Sequence, residues 1–313
     1  MNSSFIAFAL LNIGFVLLVS PLFMSLIKKV KAWAQGRRGP SLFQTYYNIA
    51  KLLRKETVYS PVSSWVMRVT PYVCLSMTVV AALFVPILYV PEPVAGFGNV
   101  ILFLYLLGLA RFFMALSGLD AGSTFGGMSS SRDMSLAAVI EPTSIVVMAA
   151  LAVVAGSLNF LEIARDAAGM LFPASATMFL IGVSLFIILI VETGRIPVDN
   201  PETHLELTMV HEGMVLEQSG RNLAMMEYAG AVKQTLFIAI LVSVLMPFGL
   251  VTELSVTGVL FAMVLFVVKG SVVSVIVGLL ESSIAKMRLF SLPNLFIIAY
   301  FFSVFTIFTE VFA

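Results

Sequence analysis

SVTGVLFAMVLFVVKGSVVSVIVGL, residues 255–279, runs the length of a membrane helix with one charged residue, Lys269. About 20 predominantly apolar residues in helical rise cross a bilayer's hydrocarbon, and this run exceeds that. Working outward, the same reading predicts eight spans at about 5–27, 69–90, 99–118, 135–157, 174–193, 231–250, 255–279 and 291–312. The chain is 60% hydrophobic and only 11% charged, against about 25% charged in soluble domains. It lacks the polar surface a soluble fold needs. The predicted class is all-α: one integral membrane domain over 1–313 in contact with the lipid bilayer.

A net charge of +1 gives no global field for nucleic acid. The one cysteine, Cys74, cannot form an intrachain disulfide or by itself hold an iron–sulfur cluster. Residues 1–31 lack a basic leader before the apolar run, so they read as a retained span and not a cleaved signal. Lys28, Lys29, Lys31, Arg37, Arg38, Lys51, Arg54, Lys55 and Arg68 all fall in the first loop, half of the 18 basic residues. The positive-inside rule places that loop in the cytoplasm, and eight spans then put both termini on the opposite side.

The first loop holds an expected amphipathic surface helix over 41–56, with Leu42, Tyr46, Ile49 and Leu53 on one face. GRRGP (36–40) precedes it and presents Arg37 and Arg38, suited to an acidic partner or lipid. The segment 118–133, GLDAGSTFGGMSSSRD, is rich in Gly and Ser and reads as a flexible loop. It matches neither phosphate-binding glycine pattern.

Charges within membrane spans are costly, and are usually paired or functional. Arg111, Glu141, Glu192 and Lys269 are of this kind. Arg111 and Glu141 lie roughly 10 Å in from the inner ends of consecutive spans at 1.5 Å per residue. They can pair, either as a packing device or as part of a proton relay.

Residues 192–227, ETGRIPVDNPETHLELTMVHEGMVLEQSGRNLAMME, gather seven carboxylates and both histidines of the chain. The prolines of RIPVDNP (195–201) demand a rigid, non-helical crossing after the fifth span. Such backbone at the membrane edge needs cover from protein or a wet cavity. If 202–217 is one helix, Glu202, Glu206 and Glu217 lie within about 60° of one another, with His204 and His211 on the other side. That stripe suits proton conduction if some members are protonated, and equally suits a solvated loop face. Two histidines without an HExxH pattern are too few for a zinc site. His204, His211 and the adjacent Glu212 fit partner docking better, and no metal ligand set is expected.

RRGPSLFQTYYNIAKLLRKE, ALSGLDAGSTFGGMSSSRDM, IEPT, ETGRIPVDNPETHLELTMVHEGMVLEQSG and ESSIAKMRL together resemble the family of the eight-helix H-type subunit of respiratory complex I. The nearer resemblance is to its counterparts in group 4 energy-converting nickel–iron hydrogenases, of the formate hydrogenlyase, hydrogenase-4 and CO-linked types. Complex I members carry PFDLPEAE where this chain reads IPVDNPETHLE, which favours the hydrogenase branch. The resemblance implies a non-catalytic anchor and coupling subunit in a prokaryotic cytoplasmic membrane. Its implied partners are hydrogenase large and small subunits, docked on cytoplasmic loops 28–68, 119–134 and 194–230, and antiporter-like membrane subunits. The nickel–iron centre and iron–sulfur clusters belong to those partners, and no cofactor is expected in this chain. It also implies a proton or sodium path along Glu141, Glu192, Asp199, Glu202 and Glu206, to which the stripe adds Glu217. Arg111, Arg195 and Lys269 are candidate charge partners. Two alternatives remain: a quinone-cavity subunit of an NADH–quinone oxidoreductase, and a stand-alone secondary ion transporter.

Overall fold

The computed structural model describes residues 3–91, 97–168, 176–200, 209–252 and 254–312. The helices of the described residues are α1 (Ser3–Ala34), α2 (Gln44–Leu53), α3 (Trp65–Ala81), α4 (Val100–Asp120), α5 (Thr124–Ala155), α6 (Phe160–Ala167), α7 (Ala176–Glu192), α8 (His211–Val215), α9 (Gly220–Leu245), α10 (Val256–Ser283) and α11 (Leu292–Phe312). Six of these are long and apolar enough to cross a membrane, while α3 and α7 are shorter apolar helices.

Helix α9 is the central pillar. It packs against α1, α2, α3, α7 and α10, and its middle, from Leu236 to Val242, is buried throughout. Helices α4, α5 and α11 extend the bundle on one side, with α11 bridging α5 and α7. Helix α10 lies on α1, with Gly270 set against the Phe23 ring: a Cβ there would come within 2.3 Å of it.

The expected second span, 69–90, stops early. Helix α3 ends at Ala81 and the next ten residues are irregular yet buried. Pro86 has no N–H to give and crowds the carbonyl four residues before it, and the freed backbone groups find a partner in α1. The Asn12 amide donates to the carbonyls of Ala82 (2.6 Å) and Val85 (2.9 Å) and accepts from the Ile87 N–H (3.2 Å). One buried side chain thus satisfies the broken backbone where water is excluded.

The Gly/Ser segment read as a loop over 118–133 is also different. Helix α4 runs to Asp120, and α5 begins at Thr124 and continues to Ala155. Only a tight turn at Ala121–Ser123 separates them, with Gly122 at φ +66. The small residues are there for close approach, since a Cβ on Gly126 would sit 2.5 Å from the Gly118 carbonyl oxygen.

The surface helix is present as α2, shorter than expected. It is tied to α1 by the Ser25 hydroxyl donating to Thr45 Oγ1 at 2.6 Å and by the Tyr46 hydroxyl donating to the Leu18 carbonyl.

Candidate functional site: a buried charge centre

Helix α7 delivers Glu192 as its last residue. Gly194, at φ +60, closes the helix, with Gly194 N–H donating to Val191 O (3.1 Å) and Arg195 N–H to Ile190 O (3.0 Å). Left-handed glycine after a helix end is the usual way these carbonyls are satisfied. It also turns Arg195 away from Glu192 and into a second group of charges.

The centre forms around Glu192. Arg111 Nη2 on α4 lies 2.5 Å from Glu192 Oε2, and Lys233 Nζ on α9 lies 2.7 Å from the same oxygen. On α5, Glu141 Oε1 is 3.7 Å from Arg111 Nη1 and Asp133 Oδ2 is 4.0 Å from Arg111 Nε. His211, opening α8, places Nδ1 3.2 Å from Asp133 Oδ1, without hydrogen-bond alignment. Burial pushes the His211 pKa below its ordinary value. Lys233 and Arg111 act the same way, against the pull of Asp133. The imidazole is therefore neutral in its resting state near pH 7.

The expected Arg111–Glu141 pair is present, but secondary to Arg111–Glu192. The side chain of Arg111 is 5% exposed, that of Glu192 8% and that of Glu141 52%. Two cations, Arg111 and Lys233, face three carboxylates, Glu192, Asp133 and Glu141. Such a group is stable only when every member is compensated, because lone ions in low dielectric are costly.

A second group lies beside it. Glu281 on α10 bridges Lys31 on α1 (3.4 Å) and Arg195 (3.5 Å), and Arg195 also donates to Gln234, the neighbour of Lys233 on α9. Asp199 is buried and holds the crossing in place. It accepts from the N–H groups of Val210 and His211, both at 3.0 Å, and from Lys286 Nζ at 2.7 Å. The Met287 N–H donates to Pro197 O at 2.9 Å. The 195–200 crossing is thus covered, by the chain's own α9 and the segment joining α10 to α11.

Other expected residues fall elsewhere. Lys269 is buried but points to the end of α9, donating to the carbonyls of Met246 (2.9 Å) and Phe248 (2.7 Å). It caps that helix and joins no carboxylate in the charge centre. Glu217 is exposed and lies beyond α8. A single helix over 202–217 is not formed in its described part, because Met209 and Val210 are non-helical and α8 starts at His211. Glu202, His204 and Glu206 lie outside the described residues. Glu212 is exposed. Arg37 and Arg38 are exposed and, with Lys28, line a shallow depression of about 200 Å³.

Sequence reading missed Lys233 and Asp133. Lys233 sits at the inner end of the sixth apolar run and passes for a flanking charge. Asp133 closes the segment read as a loop, and becomes a core residue only because that segment is helix. Among the described residues no group of three His, Cys, Asp or Glu is arranged to hold a metal.

Between α4 and α5 a lateral cavity of about 750 Å³ reaches this centre. Its walls are apolar, including Leu104, Tyr105, Ile145 and Met148, and its polar floor is Arg111, Glu141, Ser144 and Glu192.

Comparison with known proteins places this architecture. Residues 6–311 match the family described as NADH dehydrogenase. The chain is 34% identical to hydrogenase-4 component C of Escherichia coli (strain K12) over 286 residues, covering 90% of this chain and 89% of that protein. It is 33% identical to formate hydrogenlyase subunit 4 of the same organism over 277 residues, covering 88% and 89%. The H-type subunit of the NADH-quinone oxidoreductase of Salinibacter ruber is 28% identical over 229 residues, covering 69% and 65%. A chain in the structure of the membrane-bound sulfane sulfur reductase, an archaeal respiratory membrane complex, shares the fold. Its TM-score is 0.81 at 18% identity, over 96% of this chain and 99% of that one. This integral membrane protein therefore belongs to the NADH dehydrogenase family of proteins like the H-type subunit of complex I, with hydrogenase-4 and formate hydrogenlyase components among its relatives.

Proposed function

We propose that this chain is the membrane anchor and coupling subunit of an energy-converting nickel–iron hydrogenase, linking a cytoplasmic redox arm to proton or sodium translocation. It crosses a prokaryotic cytoplasmic membrane eight times, with α3 and α7 as the two short spans and both termini outside. Large and small hydrogenase subunits dock on 28–68, the α4–α5 turn and 194–230, where Arg37, Arg38, His204, His211 and Glu212 lie. The nickel–iron and iron–sulfur centres are theirs. Antiporter-like subunits flank the chain within the membrane.

The observation that carries this reading is a pair of adjoining groups of charge inside the helical bundle. One group joins Lys31, Glu281, Arg195 and Gln234, and a second joins Lys233, Glu192, Arg111 and Glu141; the two adjoin at the consecutive α9 positions Lys233 and Gln234. Charges buried within spans mark ion pathways, and here they begin beside the segments assigned to the redox arm. A shift of one pKa unit at a carboxylate corresponds to about 1.4 kcal/mol, so a small displacement of the 195–211 segment alters proton occupancy severalfold. Asp199, Glu202, Glu206 and Glu217 belong to the same path.

Glu141→Gln tests it, since Glu141 is exposed and its loss spares the buried pair. In proteoliposomes of the whole complex, hydrogen evolution with an artificial donor is expected to persist while ion uptake falls. Unimpaired uptake removes Glu141 from the path. Transport by the isolated chain would support a stand-alone transporter instead.

A further inference from the structure

Glu141 occupies an unusual position. Arg111 lies about 14 Å from the Asp120 end of α4 and about 16 Å from the Val100 end, midway along that helix, and its guanidinium reaches Glu192 at the end of α7. Glu141, within α5, is 3.7 Å from Arg111 and lines the cavity, yet half its side chain is exposed. A carboxylate within a membrane span almost always faces protein or water and not lipid. Beside it the Ser144 hydroxyl is buried, lines the same cavity, and has no hydrogen-bond partner among the described residues.

The surrounding α4–α5 face is apolar and outward, with Ile101, Tyr105, Phe112 and Ile145 all exposed. The outward faces of α10 and α11 are as apolar, including Val264 and Phe301, but carry no carboxylate at mid-depth. Those faces suit lipid. The α4–α5 face is apolar at its rim and acidic at its centre, where Glu141 gives the charge centre more carboxylates than cations, His211 being neutral.

We propose that the α4–α5 face receives a transmembrane helix from an adjacent membrane subunit, and that this helix carries a Lys, Arg or His opposite Glu141. The cation completes the charge balance, the hydroxyl of Ser144 gains a partner, and the helix fills the cavity mouth. This deepens the anchor-and-coupling reading and rests on it.

The test uses the intact assembly in its native membrane. A benzophenone amino acid at Tyr105 is expected to give adducts in a transmembrane segment of a co-purifying subunit, with a basic residue within two helical turns of the adduct, about 11 Å. The same probe at Val264 or Phe301 is expected to label lipid. Glu141→Lys places like charges together and is expected to cut the Tyr105 adduct about tenfold or more. Changing the partner's cation to Glu in that background restores it. Where Glu141→Lys does not accumulate, Ile145→Trp blocks the face sterically and is expected to give the same loss. Adducts only with lipid, with an isoprenoid quinone, with a second copy of this chain or with a segment lacking a basic residue overturn the proposal. An adduct yield unchanged in Glu141→Lys does so too. The anchor-and-coupling reading fails separately, if the chain purifies without redox subunits whatever Tyr105 labels.

Discussion

Arg111 and Glu192 stand 81 positions apart and meet at 2.5 Å in the middle of the bundle. Glu192 is shared with Lys233, so the two ends of the pair are unequal. Arg111→Met leaves Glu192 with Lys233, whereas Glu192→Met removes the carboxylate that Lys233 pairs with and leaves Arg111 only the longer contacts to Glu141 and Asp133. Removing one partner of a buried pair costs about 3–5 kcal/mol. Glu192→Met is expected in that range and Arg111→Met below it, as measured by thermal unfolding in detergent. Equal losses would mean that Lys233 does not compensate.

Asp199 holds two backbone donors as well as Lys286. Asp199→Ala leaves the Val210 and His211 N–H groups buried without acceptors, at about 1–3 kcal/mol each. Hydrogen exchange at these two amides is expected to speed up by about tenfold or more. Exchange confined to wild-type rates would show the crossing to be held by other contacts.

His211 gives the centre a pH dependence with a definite sign. Its folded pKa is depressed, chiefly by burial, below an unfolded value of about 6.5. Between those two values the unfolded chain binds the proton and the folded chain does not. The stabilisation is complete above about pH 6.5 and is lost as pH falls toward the folded pKa. Melting temperature is expected to drop as pH falls below about 6.5, and His211→Gln should flatten that slope. A slope unchanged in the variant assigns the acid sensitivity to other groups.

Lys269 is expected to behave as a structural cap. Lys269→Met removes the donor to Met246 and Phe248 and should cost about 1–3 kcal/mol. Ion uptake per assembled complex is expected to remain, in contrast to Glu141→Gln. Loss of uptake without loss of stability would return Lys269 to the path.

The apolar runs by themselves determined the class of this protein, since hydrocarbon admits helices whose backbone is satisfied internally. The composition also placed Arg111, Glu141 and Glu192 among the residues to watch, because charge is rare within such runs. Their partners were not legible. Lys233 reads as an ordinary flank and Asp133 as loop polarity, and only packing of α4, α5, α7 and α9 brings them to one point. Likewise the second span reads as unbroken over 69–90, and neither its early end nor its repair by Asn12, about seventy positions away, was legible. Lys269 shows the converse: its span is clear, while its pairing with the end of α9 depends on how α10 is set against it. Hydrophobic burial is non-directional and is written in composition. Hydrogen bonds and ion pairs act over a few ångströms in fixed geometry, so the choice of partner belonged to the tertiary structure.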